Sequence, residues 1–215
     1  MTPAKEVGGD FYDFFMVDDN HLGMVIADVS DKGVPAALYM MSAKMTISSH
    51  AKMGKSAKDV LEAANAALAA GNNEEMFVTV WLGILDLKTG VVTAGNAGHE
   101  YPVIRQGNGD FELMHDRHGL VIGAMDGIVY KEYTFTLTPG SVLFLYTDGV
   151  PEATNKEQEL YGTDRLVEAL NREKQVDPQK ILQEVQEDVE RFVEGEAQFD
   201  DLTMLCVHYK GQSQI

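Results

Sequence analysis

Short apolar runs broken by tight polar turns dominate this chain, and they constrain its fold more than any other feature. Residues 11–17 and 22–28 read as two strands joined by the turn Val17-Asp18-Asp19-Asn20-His21. Further strands are expected over 77–87, 91–97, 101–106, 111–114, 128–137, 141–147 and 202–209. Lys88-Thr89-Gly90, Gly107-Asn108-Gly109-Asp110 and Pro139-Gly140 punctuate them. Strands joined by tight turns are antiparallel. Two helix pairs interrupt the hairpins. The first pair runs from Gly33 to about Met53, with Pro35 in its first turn, and from Ser56 to Gly71, with Ser56 as N-cap and Gly71 as stop. The second covers 163–173 and then Asp177 to about Glu194, where Pro178 follows an Asp cap. Hairpins with segregated helices make an α+β fold, with helices covering a two-sheet core.

The 215 residues suit one domain of ordinary size spanning 1–215. A hydrophobic content of 45% excludes a disordered chain. No apolar stretch is long enough to cross a bilayer, and Met-Thr-Pro-Ala-Lys-Glu at the N-terminus lacks the apolar segment of a signal peptide. The single Cys206 forbids an intrachain disulfide, so a cytoplasmic setting is expected. A net charge of -17 argues against nucleic acid as a partner, because phosphate backbones recruit Lys and Arg.

Aspartate is depleted in strands, yet here it stands at strand ends. Asp10 opens one apolar run and Asp28 closes the next; Asp148 closes another, and Asp200 and Asp201 open the last. The first hairpin turns on Asp19, and Asp10 and Asp28 each lie nine residues from it. Residues equidistant from a hairpin turn oppose each other on one face, so Asp10 and Asp28 should meet at the open end. Asp148 and Asp200 meet likewise if their strands are antiparallel neighbours. Gathered carboxylates repel unless a cation sits between them, and hard divalent cations take oxygen ligands. Gly8-Gly9 and Gly149 permit close backbone approach there. A turn-forming or capping role is an equal alternative for any one of these acids, but a weaker one for the set. Asp13 falls on the opposite face from Asp10.

Other candidates read as structural. His99 is expected to make a turn-stabilising hydrogen bond rather than to ligate a metal. His115 and His118 lack the second ligand pair of a zinc site. Met40, Met41, Met45 and Met53 are expected in the core, with an interaction surface as the alternative. The stretch 184–196 reads as a solvated acidic helix face. Cys206 sits in an apolar run with no arginine downstream, so a cysteine-based phosphatase mechanism is not expected.

Five segments, in order, resemble the motif set of the SpoIIE/RsbU-type serine phosphatases, which are metal-dependent (PPM-type) protein phosphatases. They are 6–14, EVGGDFYDF; 26–37, IADVSDKGVPAA; 96–99, NAGH; 146–153, YTDGVPEA; and 199–203, FDDLT. The resemblance implies an α-β-β-α sandwich and a centre of two Mn²⁺ or Mg²⁺ ions. It also implies hydrolysis of phosphoserine or phosphothreonine by direct attack of a metal-bridging water. The substrate it implies is a phosphorylated regulatory protein, commonly a STAS-type anti-sigma-factor antagonist. Carried over by motif, Asp28 bridges both ions, Val29 offers its carbonyl, Asp148 and Asp200 hold one ion, and Asp10 assists at the other. Asp201, beside a ligand, ranks lower. Asp28, Asp148 and Asp200 are then the catalytic set. Two departures stand out: Val29-Ser30-Asp31 offers no histidine as general acid, and Asp31 stands where the family usually has glycine. The resemblance further implies that the chain is cut from a longer protein with an upstream sensor or receiver domain, and it allows a homodimer. The alternative is a catalytically silent metal-binding regulatory module, against which the complete acidic set speaks.

Overall fold

A computed structural model describes residues 1–70, 72, 75–172 and 176–211. The proposed helix stop at Gly71 and the expected helix end at Glu173 lie outside the described residues. The chain divides into two compact units. The N-terminal unit comprises Lys5–His99 and Asp116–Thr136; the C-terminal unit comprises Met1–Ala4, Glu100–His115 and Leu137–Ile215. Each holds one antiparallel sheet and one helix pair, as an α+β reading requires.

In the N-terminal unit, β1 (Phe11–Met16), β2 (His21–Val29), β3 (Val78–Asp86), β4 (Val91–Ala97) and β7 (Glu132–Thr136) form a sheet in the order β1-β2-β3-β4-β7. Val25, Ala27 and Val29 of β2 and Val78, Val80 and Leu82 of β3 alternate onto one face. There they pack with Ala36, Ala43, Ile47 and Ala51 of α1 (Val34–Lys52) and Val60, Leu61, Ala64 and Leu68 of α2 (Ala57–Ala69). Ser56 caps α2 by accepting from Asp59 N at 3.3 Å.

This packing corrects the expectation for the methionines. The fully buried positions of α1 are three alanines and one isoleucine, which let helix and sheet approach closely. Its large side chains form a second stripe: Val34, Leu38, Met41 and Met45 are exposed, as is Met53 just beyond the helix. Of these methionines Met40 alone packs partly against the core, beside Tyr39.

β7 is shorter than the apolar run suggested. The carbonyl of Asn96 in β4 accepts from Gly119 N at 2.7 Å. Ladder pairing therefore reaches only Gly95↔Glu132, and residues 128–131 stay irregular.

In the C-terminal unit, β5 (Val103–Arg105), β6 (Phe111–Leu113), β8 (Ser141–Tyr146) and β9 (Met204–Tyr209) form a sheet in the order β6-β5-β8-β9. Val103, Phe111, Val142, Phe144 and Tyr146 pack with Leu166 and Leu170 of α3 (Gly162–Arg172) and Ile181, Val185 and Val189 of α4 (Pro178–Val193). Asp177 caps α4 by accepting from Gln179 N at 3.0 Å, with Pro178 in the first turn. The acidic face of α4 has one exception. Asp188 is buried and accepts from Tyr161 Oη at 2.6 Å and Arg191 Nη2 at 2.8 Å, and it also pairs with Arg172. Among the described residues no helix is long and apolar enough to cross a membrane.

Candidate metal centre

The first hairpin has the register that its turn symmetry predicts, ending in Phe11↔Ala27. One further step sets Asp10 opposite Asp28 and Gly9 opposite Val29. Asp10 is buried, 1% exposed, and Asp28 is half-buried. Gly9 is tightly placed: a Cβ there would lie 3.1 Å from the Val29 carbonyl oxygen and 3.3 Å from Val29 Cβ. The glycine thus lets the Asp10 segment close on the Asp28 strand end. On the other side Asp28 pairs with Thr79 of β3. Asp10, Asp28 and Thr79 stand abreast on the sheet face opposite α1 and α2. Asp13 faces α1 instead, where Lys44 Nζ lies 3.7 Å from its carboxylate.

In the C-terminal unit β8 and β9 are antiparallel neighbours, paired through Tyr146↔Met204. Thr147 N donates to Thr203 O at 3.0 Å, which extends the ladder to the edge of the acids. A Cβ on Gly149 would lie 2.0 Å from the Asp201 carbonyl oxygen and 3.5 Å from Asp200 Cβ. Asp148-Gly149 and Asp200-Asp201 are therefore in direct backbone contact, and only glycine allows it. Asp201 is buried and its Oδ1 accepts from Ala4 N at 2.8 Å. Asp200 Oδ1 accepts from Asp201 N at 2.8 Å.

Sequence reasoning missed Glu100. Burial, and then the charges of Asp148 and Glu152, push its carboxyl above the ordinary range. Its only signal in the sequence is its place directly after Asn96-Ala97-Gly98-His99.

His99 is buried in a polar network rather than a lone turn. Its N–H donates to Asn96 Oδ1 at 2.7 Å, its carbonyl accepts from Asn96 Nδ2 at 3.0 Å, and its Nδ1 shares a 2.8 Å hydrogen bond with Thr79 Oγ1. Asn96 Nδ2 also lies 3.0 Å from Asp116 Oδ2. Asp116, whose side chain is 1% exposed, accepts from Tyr133 Oη at 2.5 Å and pairs with His118 Nε2 at 2.9 Å. Trp81 Nε1 donates to Tyr133 Oη at 2.9 Å. Burial and the bond to Asp116 hold the Tyr133 hydroxyl well above its usual range, so it stays protonated. His115 lies apart, edge-on to the Tyr101 ring.

Two departures from the family pattern acquire a local meaning. Ser30 Oγ accepts from Phe77 N at 2.9 Å, which ties it to the start of β3. Asp31 has φ 79°, a left-handed conformation that glycine adopts without strain. The rival thiolate chemistry has no basis at Cys206: burial pushes its thiol up to about 12, despite the nearby charge of Arg105.

Among the described residues no three His, Cys, Asp or Glu side chains form a ready-made metal cluster. The acids stand in pairs, each pair backed by a glycine. The donors offered are carboxylate and carbonyl oxygens, the set that suits Mg²⁺ or Mn²⁺ rather than a soft metal.

Comparison with known proteins gives this arrangement a context. Residues 18–210 match the family model described as Stage II sporulation protein E (SpoIIE). The chain is 30% identical over 235 residues to Protein IcfG of Synechocystis sp., covering 97% of this chain and 37% of that one. It is 30% identical over 171 residues to the phosphoserine phosphatase RsbU of Bacillus subtilis, covering 78% of this chain and 50% of that one. The chain thus spans half or less of these relatives' length. The solved SiaA-PP2C domain of Pseudomonas aeruginosa shares the fold with a TM-score of 0.83 at 22% identity, covering 96% of this chain and 83% of that one.

Proposed function

The chain belongs to the SpoIIE family of PP2C-type serine phosphatases, and from that premise we propose that it is a Mg²⁺- or Mn²⁺-dependent catalytic domain acting on phosphoserine or phosphothreonine of a regulatory protein. The substrate class is a STAS-type anti-sigma-factor antagonist, as the resemblance to RsbU-type enzymes implies. Residues 1–215 would form one catalytic domain of a longer cytoplasmic protein carrying an upstream sensor or receiver module. The exposed stripe of Val34, Leu38, Met41 and Met45 on α1 offers such a module a surface.

The observation that carries this reading is the pair of glycine-backed acid sites at strand ends. Asp28 would bridge two ions, with Asp10 and the Val29 carbonyl on its side, and Asp148 and Asp200 would hold one of them. Asp201 would support Asp200 from the adjacent position. Bound there, two divalent ions supply an activated water and neutralise charge on the phosphoryl group. The chain's own contribution is to hold the acids rigid and close. Gly9 and Gly149 bring the backbones together, and burial strips water from Asp10, which strengthens its attraction for a cation.

The test is phosphate release from a chromogenic phosphate ester and from a phosphoserine-bearing antagonist, with Mn²⁺ or with chelator. The expected result is Mn²⁺-dependent release that chelator and Asp28→Asn both abolish. Turnover indifferent to chelator, or unchanged in Asp28→Asn, would overturn the reading.

A further inference from the structure

The N-terminal unit contains more buried polar machinery than its fold requires. Thr79 lies directly opposite Asp28 in the β2–β3 ladder. Directly opposed residues share a face, with Cβ atoms about 5 Å apart. Thr79 Oγ1 is itself held by His99 Nδ1 at 2.8 Å, and His99 is 3% exposed. Asn96 grips the His99 backbone from both sides through its amide. Asn96 in turn contacts Asp116, which Tyr133 and His118 also engage. The chain of contacts therefore runs from the strand neighbour of Asp28, through the buried His99 ring and its clamped backbone, to a buried carboxylate.

A histidine needed only to close the Gly98 turn would use its backbone groups and leave its ring free to point anywhere. Here the ring is spent on Thr79. Threonine's χ1 has few rotamers, and a hydrogen bond to a buried ring narrows the choice further. Such outer groups orient the residues that hold a metal, and their loss commonly costs about 10–100-fold in metal affinity.

We propose that Thr79 and His99 are positioning residues for Asp28, with Asn96, itself bonded to Asp116, clamping the backbone of the histidine whose ring holds the threonine. The proposal rests on the reading of Asp28 as a divalent-ion ligand. It assigns Thr79 and His99 no contact with substrate.

The experiment is Mn²⁺ affinity by titration calorimetry, with thermal unfolding alongside, on Thr79→Val, Thr79→Ser, His99→Leu, the Thr79→Val/His99→Leu double variant, and Asp28→Asn. Thr79→Val keeps the side-chain shape and replaces the hydroxyl with a methyl group. The expected result is at least about a tenfold weaker affinity in Thr79→Val and in His99→Leu, with Thr79→Ser restoring most of it. The double variant should be no weaker than the worse single one, because the two act in series. Unchanged affinity in Thr79→Val or in folded His99→Leu, alongside a loss in Asp28→Asn, would overturn the positioning role and leave the site intact. Additive losses in the double variant would also overturn it. Unchanged affinity in Asp28→Asn would overturn the site reading itself and this proposal with it. If His99→Leu does not fold, the Val-against-Ser comparison at Thr79 decides alone.

Discussion

The strand pair that carries Asp10 and Asp28 and the one that carries Asp148 and Asp200 use one device at different tightness. Each brings two acid-bearing strand ends together, and each has a glycine at the contact. In the first, a short turn centred on Asp19 already fixes the register. Gly9 approaches Val29 closely, but a Cβ there would still sit 3.1 Å from the carbonyl. In the second, two helices separate β8 from β9 in sequence, and no turn sets their alignment. The contact must hold itself, and the space at Gly149 shrinks to 2.0 Å from the Asp201 carbonyl. Local connectivity tolerates some slack; a long-range pairing has to be locked by packing.

That contrast can be broken in a graded way. The largest effects are expected on catalysis. Asp28→Asn and Asp148→Asn should each lower Mn²⁺-dependent phosphate release by at least about a hundredfold with the fold retained by circular dichroism. A large loss in only one of them would make the two acid pairs unequal. Next comes Gly149→Ala, where backbone must move to admit a methyl. Denaturant unfolding should show a loss of about 3 kcal/mol, the upper range for overpacking. Gly9→Ala meets a looser contact and should cost about 1 kcal/mol; equal costs at the two glycines would refute the difference in tightness.

The C-terminal unit also holds the charged cluster around Asp188. Burial alone would push that carboxyl up, but the bonds from Tyr161, Arg191 and Arg172 more than offset it and hold it below the ordinary range. A carboxyl depressed on folding stabilises the folded chain above its unfolded value, and the contribution is lost as pH falls through the folded one. Asp188→Asn should therefore cost about 1–3 kcal/mol at neutral pH and progressively less in acid, as read by unfolding at a series of pH values. The smallest effect is expected at Cys206, held as a neutral thiol inside β9. Cys206→Ala should leave turnover within about twofold and thiol labelling of the folded wild-type protein should be slow.

The same contrast explains what could be read from the chain without its fold. The Asp10–Asp28 pairing followed from counting residues about a turn. The adjacency of β8 and β9 did not, and the motif order had to supply it. The caps at Ser56 and Asp177 were legible because their chemistry is local. The placement of Met41 and Met45 was not, because helical spacing reveals a stripe but not which stripe faces inward. On α1 two apolar stripes compete, and the smaller side chains take the interior. Asp188 and Asp116 were hard to see for a related reason: each has one near neighbour, Arg191 or His118, but the partners that bury them, Tyr161 and Arg172 or Asn96 and Tyr133, come from distant parts of the chain. The length of β7 failed on one hydrogen bond, the capture of the Asn96 carbonyl by Gly119.

The central claim is that both acid pairs serve a divalent-ion centre of a serine phosphatase. Mn²⁺ binding followed by electron paramagnetic resonance in the wild type, Asp28→Asn and Asp148→Asn tests it most directly. The account predicts saturable binding in the wild type and a marked loss of bound Mn²⁺ in each variant. A wild-type chain that binds no Mn²⁺, or variants from both pairs that bind it as the wild type does, would contradict it.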